Sequence, residues 1–209
     1  MGLAIVGSIL SAQQTDDDPV LAFYTQRAAA VFEARDPLRT GTRFSFLART
    51  YYKQIDKEKG AILTDSAIVS YYYSFGQLDS TQVHLVTKNS LAEILPVPPN
   101  AFESGYDFNF FPNDTGGAEI AIGFDADTSS GNLPVGLAVV DRDRYLLKWL
   151  YLCFPKQPGF KKYTRSYRMV EHQGLVFPDS IWIVAAKPGI FSLESYRIET
   201  SIQDVVIYR

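Results

Sequence analysis

Strand-like segments that run from Thr42 almost to the end of the chain constrain its fold more than any other feature. In the first of them, RFSFLARTYYKQID, Phe44, Phe46 and Ala48 alternate with polar residues, which is typical of a strand with one buried face. The segment AILTDSAIVSYYYSF follows the turn KEKG and is predicted to return as the second strand of a long hairpin. Segments such as AEIAIGFD and PVGLAVV alternate in the same way, so about ten strands are predicted.

One helix is predicted ahead of the strands, from Pro19 to Ala34. Asp18 can cap it, proline is favoured at the first helical position, and Pro37 ends it. Its apolar residues recur at helical spacing and form one stripe that is expected to be buried: Val20, Leu21, Tyr24, Ala28, Val31 and Phe32. Because no repeat or linker interrupts the chain, residues 14–209 are predicted to form a single domain.

The first residues, MGLAIVGSILSAQQ, contain an apolar run that is followed by small and then polar residues. This order is typical of a secretory signal peptide, although the positively charged start is missing. A short buried first strand or helix is the alternative interpretation. The run is too short to span a bilayer as a helix, and no cysteine at its end offers a lipid attachment site. We expect residues 1–13 to be a signal peptide and the protein to be periplasmic or otherwise exported.

Residues 88–117 interrupt the strand pattern. A short helical turn is predicted through Leu91, Ile94 and Leu95, which the sequence LPVPP stops. The loop from Leu95 to Phe111 is rich in proline and carries apolar residues. It is predicted either to cover a pocket or to form a packed surface connection.

Charge and residue counts argue against several classes of function. The net charge is −3 and the Lys and Arg residues are scattered, which does not favour nucleic-acid binding. With one Cys and two His, the chain has too few ligands for a His/Cys zinc site. His84 lies in a predicted strand, His172 lies in a turn, and no serine occupies a G-x-S-x-G motif. No enzymatic activity, metal or cofactor is therefore expected.

Three segments are apolar on both faces: AIVSYYYSF, RYLLKWLYLCF and LVFPDSIWIV. A half-solvated antiparallel sheet has one polar face, so these segments predict a sandwich or a curved sheet with a covered concave side. That side holds either a cavity for an apolar ligand or a core filled by the protein's own side chains. Pro178 cannot donate to a hydrogen-bond ladder, so it is predicted at a sheet edge or at a bulge that bends the sheet.

The order of these elements resembles that of the LolA/LolB-like superfamily, which includes outer-membrane lipoprotein-sorting proteins. The resemblance also rests on the pattern Y-R-x-V-x-x-x-G-x-x-F-P-x-x-I, which here runs from Tyr167 to Ile181. It implies an α+β fold that is mainly antiparallel β. In this incomplete (half) β-barrel, a strongly curved sheet has its concave side covered by an N-terminal helix and a short helix or loop.

The same resemblance implies a non-enzymatic carrier that holds the acyl chains of lipoproteins or other lipids in an apolar cavity. Membrane-associated donor or acceptor proteins are further partners that it implies. We expect the cavity to be lined by Phe44, Phe46, Tyr72, Leu95, Phe108, Phe110, Ile120, Ile122, Phe124, Trp149 and Trp182. The alternative is a structural or interaction protein of the same fold, in which the protein's own side chains fill the concave side.

Overall fold

A computed structural model describes residues 18–56, 60–87, 98–99, 101–102, 106–110, 117–126, 134–189 and 193–208. In this part of the chain one α-helix precedes ten β-strands. They are α1 (Pro19–Arg35), β1 (Arg43–Asp56), β2 (Gly60–Ser74), β3 (Gln77–Val86), β4 (Tyr106–Phe110), β5 (Glu119–Ala126), β6 (Val135–Asp141), β7 (Leu147–Cys153), β8 (Lys162–His172), β9 (Leu175–Pro188) and β10 (Leu193–Tyr208). The described helix is not long and apolar enough to cross a membrane.

All ten strands form one antiparallel sheet in the order β3-β2-β1-β10-β9-β8-β7-β6-β5-β4. The sheet is curved and open, with β3 and β4 at its two edges, so the predicted fold class is confirmed. Strands β3 and β4 are consecutive in sequence, and the connection between them therefore has to cross from one edge of the sheet to the other. Its described residues Ala101 and Phe102 pack against the core on the side that α1 covers.

Bulges account for much of the curvature, because an extra residue in one strand bends that strand and increases its twist. The pairing register shifts between β1 and β10, β1 and β2, β6 and β7, β8 and β9, and twice between β2 and β3. In β9 the extra residue is Asp179, since Arg168 pairs with Ser180 while Met169 pairs with Pro178. Of the two places predicted for Pro178, a sheet edge or a bulge, the structure shows the bulge. Although β9 is an interior strand, its ladder with β10 ends at Ser180, so Pro178 lies beyond it.

Helix α1 packs on the concave face of the sheet through a narrow row of buried apolar side chains, which we call the apolar seam. Leu21, Ala28 and Phe32 are buried, whereas Val20 is 54 % exposed, so the predicted stripe was wrong at that residue. Val20 precedes Leu21 by one residue, which turns its side chain about 100° away from the seam. The predicted cap is confirmed, because Asp18 Oδ1 accepts hydrogen bonds from the backbone N–H groups of Val20 and Leu21.

Part of the segment predicted as a loop is a strand. Tyr106–Phe110 pairs with β5 as the edge strand β4, and its Tyr106, Phe108 and Phe110 pack against the core. This strand has only five residues and turn-forming residues flank it, so its alternation of apolar and polar residues was not recognised as a strand pattern. The helical turn predicted through Leu91 to Leu95 and the signal peptide predicted at residues 1–13 lie outside the described residues.

Candidate apolar binding site

Four aromatic rings on β1 and β2 form an apolar patch on the concave face, towards the β3 edge of the sheet. Phe44 pairs with Tyr73 and Phe46 with Tyr71 across the two strands. The ring centroids lie 4.8 Å apart in the first pair and 5.4 Å apart in the second, and both pairs are stacked. We call Phe44, Phe46, Tyr71 and Tyr73 the ring cluster. Stacked cross-strand pairs of this kind stabilise a sheet and give it a smooth apolar surface.

The side chains of α1 and of Ala101 and Phe102, described residues of the β3–β4 connection, pack over this surface. The Phe32 ring of α1 lies 6.1 Å from that of Phe102, which in turn lies 6.5 Å from that of Phe108 on β4. From the β9 side, Phe177 packs edge-on against Phe44 at 5.2 Å. The concave face is therefore apolar from β2 to β9 and is screened from water by one helix and one connection.

The space that remains between these side chains is small. The cavity beside the ring cluster has a volume of about 20 Å³ and is lined by Phe32, Asp36, Pro37, Leu38, Phe44, Phe46, Pro98, Met169, Val176, Phe177 and Pro178. A space of about 10–15 Å³ holds one water, whereas ligand sites measure about 300–1,000 Å³. In this conformation the described side chains leave no room there for an acyl chain.

Two polar groups stand out in this apolar region. The Tyr73 hydroxyl is buried and has no hydrogen-bond partner among the described residues, and burial raises the pKa of Tyr73, with Tyr71 adding to the shift. Asp36 lies at the cavity wall, where burial raises the pKa of its carboxyl against the lowering effects of the Leu38 N–H group and of Arg39. Tyr73 can therefore donate a hydrogen bond to a ligand, and Asp36 serves the chain itself by accepting one from Leu38 at 2.9 Å.

An ion-pair cluster fixes the C-terminal end of α1 to the rim of the sheet. Arg35 Nη1 donates to Glu171 Oε1 of β8 at 2.7 Å, and Arg144 of the β6–β7 turn donates to the other oxygen of the same carboxylate. The hydrogen bond from Arg144 and the charges of both arginines lower the pKa of Glu171. Exposed pairs of this kind contribute little stability, so the apolar seam provides most of the attachment of α1.

The structure brings together most, but not all, of the residues predicted to line a cavity. Phe44, Phe46, Ile120, Ile122 and Phe124 are core residues, and Phe108 and Phe110 pack against them. Tyr72, Trp149 and Trp182 lie on the opposite face of the sheet and do not join this set, while Leu95 lies outside the described residues.

Strand alternation explains these placements. Tyr72 lies between the buried Tyr71 and Tyr73, so its ring points to the other face, where its hydroxyl donates to Gln82 at 3.3 Å. Trp149 and Trp182 stack on each other at 5.8 Å on that face. The prediction missed Tyr71 and Tyr73, because AIVSYYYSF is apolar on both faces and only its pairing with β1 shows which tyrosines face the core.

The histidines do not form a catalytic arrangement in the described part of the chain. His84 is exposed on β3 and its Nε2 atom lies 2.8 Å from Ser70 Oγ, while His172 packs edge-on against Phe177 at 6.4 Å. Within the described ranges, no group of three or more His, Cys, Asp or Glu residues is placed to hold a metal ion.

The sequence matches no protein family model, and no curated protein matches it. Solved structures that are similar to the chain include a LolA superfamily protein from Nitrosomonas europaea, with 10% identity and a TM-score of 0.40 over 90% of this chain and 94% of that one. A putative outer membrane lipoprotein-sorting protein domain from Vibrio parahaemolyticus has 10% identity and a TM-score of 0.45 over 88% and 91%. MucB in complex with MucA from Pseudomonas aeruginosa has 8% identity and a TM-score of 0.27 over 91% and 99%. These similarities concern the fold alone.

Proposed function

We propose that the protein is an exported, non-enzymatic binding protein that holds an acyl chain of a lipoprotein or another lipid on its concave face, in the periplasm. The observation that carries this proposal is the ring cluster, a smooth apolar surface that a single helix and one connection cover. A covered surface of this kind can exchange its own apolar cover for an apolar ligand.

Because the cavity of about 20 Å³ is too small for an acyl chain, binding requires α1 to move away from the sheet. Exposing Leu21 and Phe32 costs roughly 3–6 kcal/mol, and the surface below them roughly as much again. Each buried CH₂ group of a ligand gains about 0.8 kcal/mol, so about 14 of them offset this cost and about 6 do not. The protein is therefore expected to bind long acyl chains and not short ones.

Tyr73 supplies the polar contact. Its hydroxyl is buried without a partner among the described residues, and a lipid ester carbonyl can accept a hydrogen bond from it. The Tyr73→Phe variant removes an unsatisfied hydroxyl and is expected to be as stable as the wild type or slightly more stable. It should also bind ester lipids several-fold more weakly, while Tyr72→Phe, on the opposite face, leaves lipid binding unchanged.

A chain-length series tests the proposal directly. Fatty acids of about 8, 12 and 16 carbons compete with a fluorescent fatty acid, and the affinity should rise by up to about 15-fold for every two CH₂ groups above a threshold length. The purified chain without its predicted signal peptide is titrated with each competitor. Equal affinity for all three lengths would contradict burial of the chain in an apolar site.

The small cavity itself favours a second candidate function. If α1 does not move, the concave face is filled by the protein's own side chains, and the protein acts as a structural or interaction protein through its outer surface. The same titration separates the two candidates. Absence of saturable binding at every chain length, together with an intact thermal unfolding transition, would favour the interaction protein.

A further inference from the structure

One end of the sheet carries a local excess of basic residues, although the chain as a whole has a negative net charge. Residues 154–168, which contain the β7–β8 turn, include five basic residues and no acidic one, although the net charge of the whole chain is −3. Three of the five, Lys156, Lys161 and Lys162, lie in or beside the turn and are exposed.

The fold adds a fourth lysine from a distant part of the chain. The Lys161 N–H group donates to the carbonyl of Ala186 at 2.8 Å, which places the end of β9 beside the turn. Lys187 Nζ then lies 4.9 Å from the centre of the Phe160 ring. We call Lys156, Lys161, Lys162 and Lys187 the lysine-rich end, and within the described residues no ion pair with a carboxylate involves any of the four.

Two carboxylates of β10 in the described part of the chain lie towards the lysine-rich end, and both are already engaged. Glu194 is the strand partner of Lys187, and its carboxylate accepts a hydrogen bond from the Tyr196 hydroxyl. Glu199, further along β10, forms ion pairs with Lys53 and Arg197. Within the described residues no carboxylate forms an ion pair with these lysines, so their positive charge can attract a ligand outside the chain.

Aromatic and aliphatic side chains accompany the lysines. Phe160 packs against Tyr163 at 5.1 Å, and Tyr163 against Phe154 at 5.5 Å, with all three rings partly exposed. The strand register places the exposed Leu63 and Leu193 at the same end of the sheet, because the pairs Lys162–Ala186, Ala186–Ser195 and Ser195–Ile55 form one row across it.

We propose that the lysine-rich end docks on the surface of an anionic lipid bilayer. Lysines attract the phosphates of acidic lipids, while rings and aliphatic tips enter the boundary between head groups and acyl chains. The turn also encloses a hollow of about 170 Å³ that is lined by Phe154, Lys156, Gln157 and Pro158, where a lipid phosphate can approach Lys156. The exposed Leu193, whose strand partner Pro188 follows Lys187, favours a bilayer over a purely polar polyanion. This docking is independent of acyl-chain binding under α1, which the fatty-acid series measures separately.

Vesicle flotation tests the proposal with two matched triple variants. The wild type should bind phosphatidylglycerol-containing vesicles and not pure phosphatidylcholine vesicles, and added salt should weaken the binding by screening. Replacing Lys161, Lys162 and Lys187 with Gln should lower the partition coefficient by about fivefold for each lysine, or about 100-fold together. The control, Arg27→Gln/Arg43→Gln/Lys148→Gln, has the same net charge change away from this end and should lose less than about threefold.

Circular dichroism first establishes that both variants are folded. Four results would each overturn the proposal: equal binding to both kinds of vesicle, no binding to either, an unaffected lysine variant, or a control that loses as much as the lysine variant. Saturable binding of inorganic phosphate without vesicle binding would likewise overturn it and identify the lysine-rich end as an anion site.

Discussion

Truncation of Phe32 measures how firmly α1 is held on the sheet. The Phe32 ring is 4 % exposed, lines the cavity beside Phe44 and Phe46 and contacts Phe102. Phe→Ala changes in a core cost about 3–5 kcal/mol, and most when the surroundings cannot collapse. Because the stacked rings on β1 and β2 hold one another in place, we expect a loss of about 4 kcal/mol for Phe32→Ala.

Urea unfolding, followed by the fluorescence of Trp149 and Trp182 on the opposite face, gives this free energy. With a slope of about 2 kcal/mol per M for a chain of this size, the midpoint should fall by about 2 M. The matched control is Phe23→Ala on the same helix, where Phe23 is 45 % exposed and the expected loss is about 1 kcal/mol. Equal losses for the two variants would refute the packing of Phe32 against the ring cluster. Phe32→Ala should also bind shorter acyl chains than the wild type, because α1 then covers less apolar surface.

Three further changes test local features. Asp18→Ala removes the cap of α1 and should lower the unfolding free energy by about 1 kcal/mol in urea titration. Gly136→Ala places a Cβ atom 2.1 Å from the Tyr151 carbonyl oxygen, so β6 and β7 must separate and the urea midpoint should fall by the equivalent of about 1–3 kcal/mol. The pKa of Glu171 is lowered in the folded state, so its ion pairs stabilise the protein at neutral pH and lose this effect as the pH falls below 4.5. In Glu171→Gln the free energy of unfolding should therefore depend less on pH in the acid range than it does in the wild type. An unchanged pH dependence would contradict the ion pairs.

Local alternation was enough to predict most of the strands and the helix. It was not enough where a segment is apolar on both faces. In YYYSF and LLKWLYL, nothing in the sequence itself tells which residues face the core, and only pairing with the neighbouring strand decides between Tyr71 and Tyr72. Trp149 and Trp182 were assigned to the cavity for the same reason. A shift by one residue exchanges the two faces of a strand.

Two further features depend on contacts between distant parts of the chain. Strand β10 lies between β1 and β9. It therefore pairs with a segment about 150 residues away in the sequence, as the hydrogen bond between Thr50 and Thr200 shows. Local sequence patterns cannot predict such a pairing. The volume beside the ring cluster also follows from how the side chains of α1, β1 and β9 fit together. The sequence could therefore predict an apolar concave face, but not the small volume that the described side chains leave beside Phe44 and Phe46.

The bulges in β3 have a consequence for how molecules of this protein meet. An open sheet exposes unpaired backbone groups along its edge strands, and such an edge can pair with that of another copy. His84 and Asp79 are the extra residues of β3, and their side chains are hydrogen-bonded to Ser70 and Ser74 of β2. The outer row of donors and acceptors is therefore broken at two places. We therefore expect the bulges to disfavour in-register pairing of a second molecule along β3, and so to limit edge-to-edge polymerisation of an open sheet.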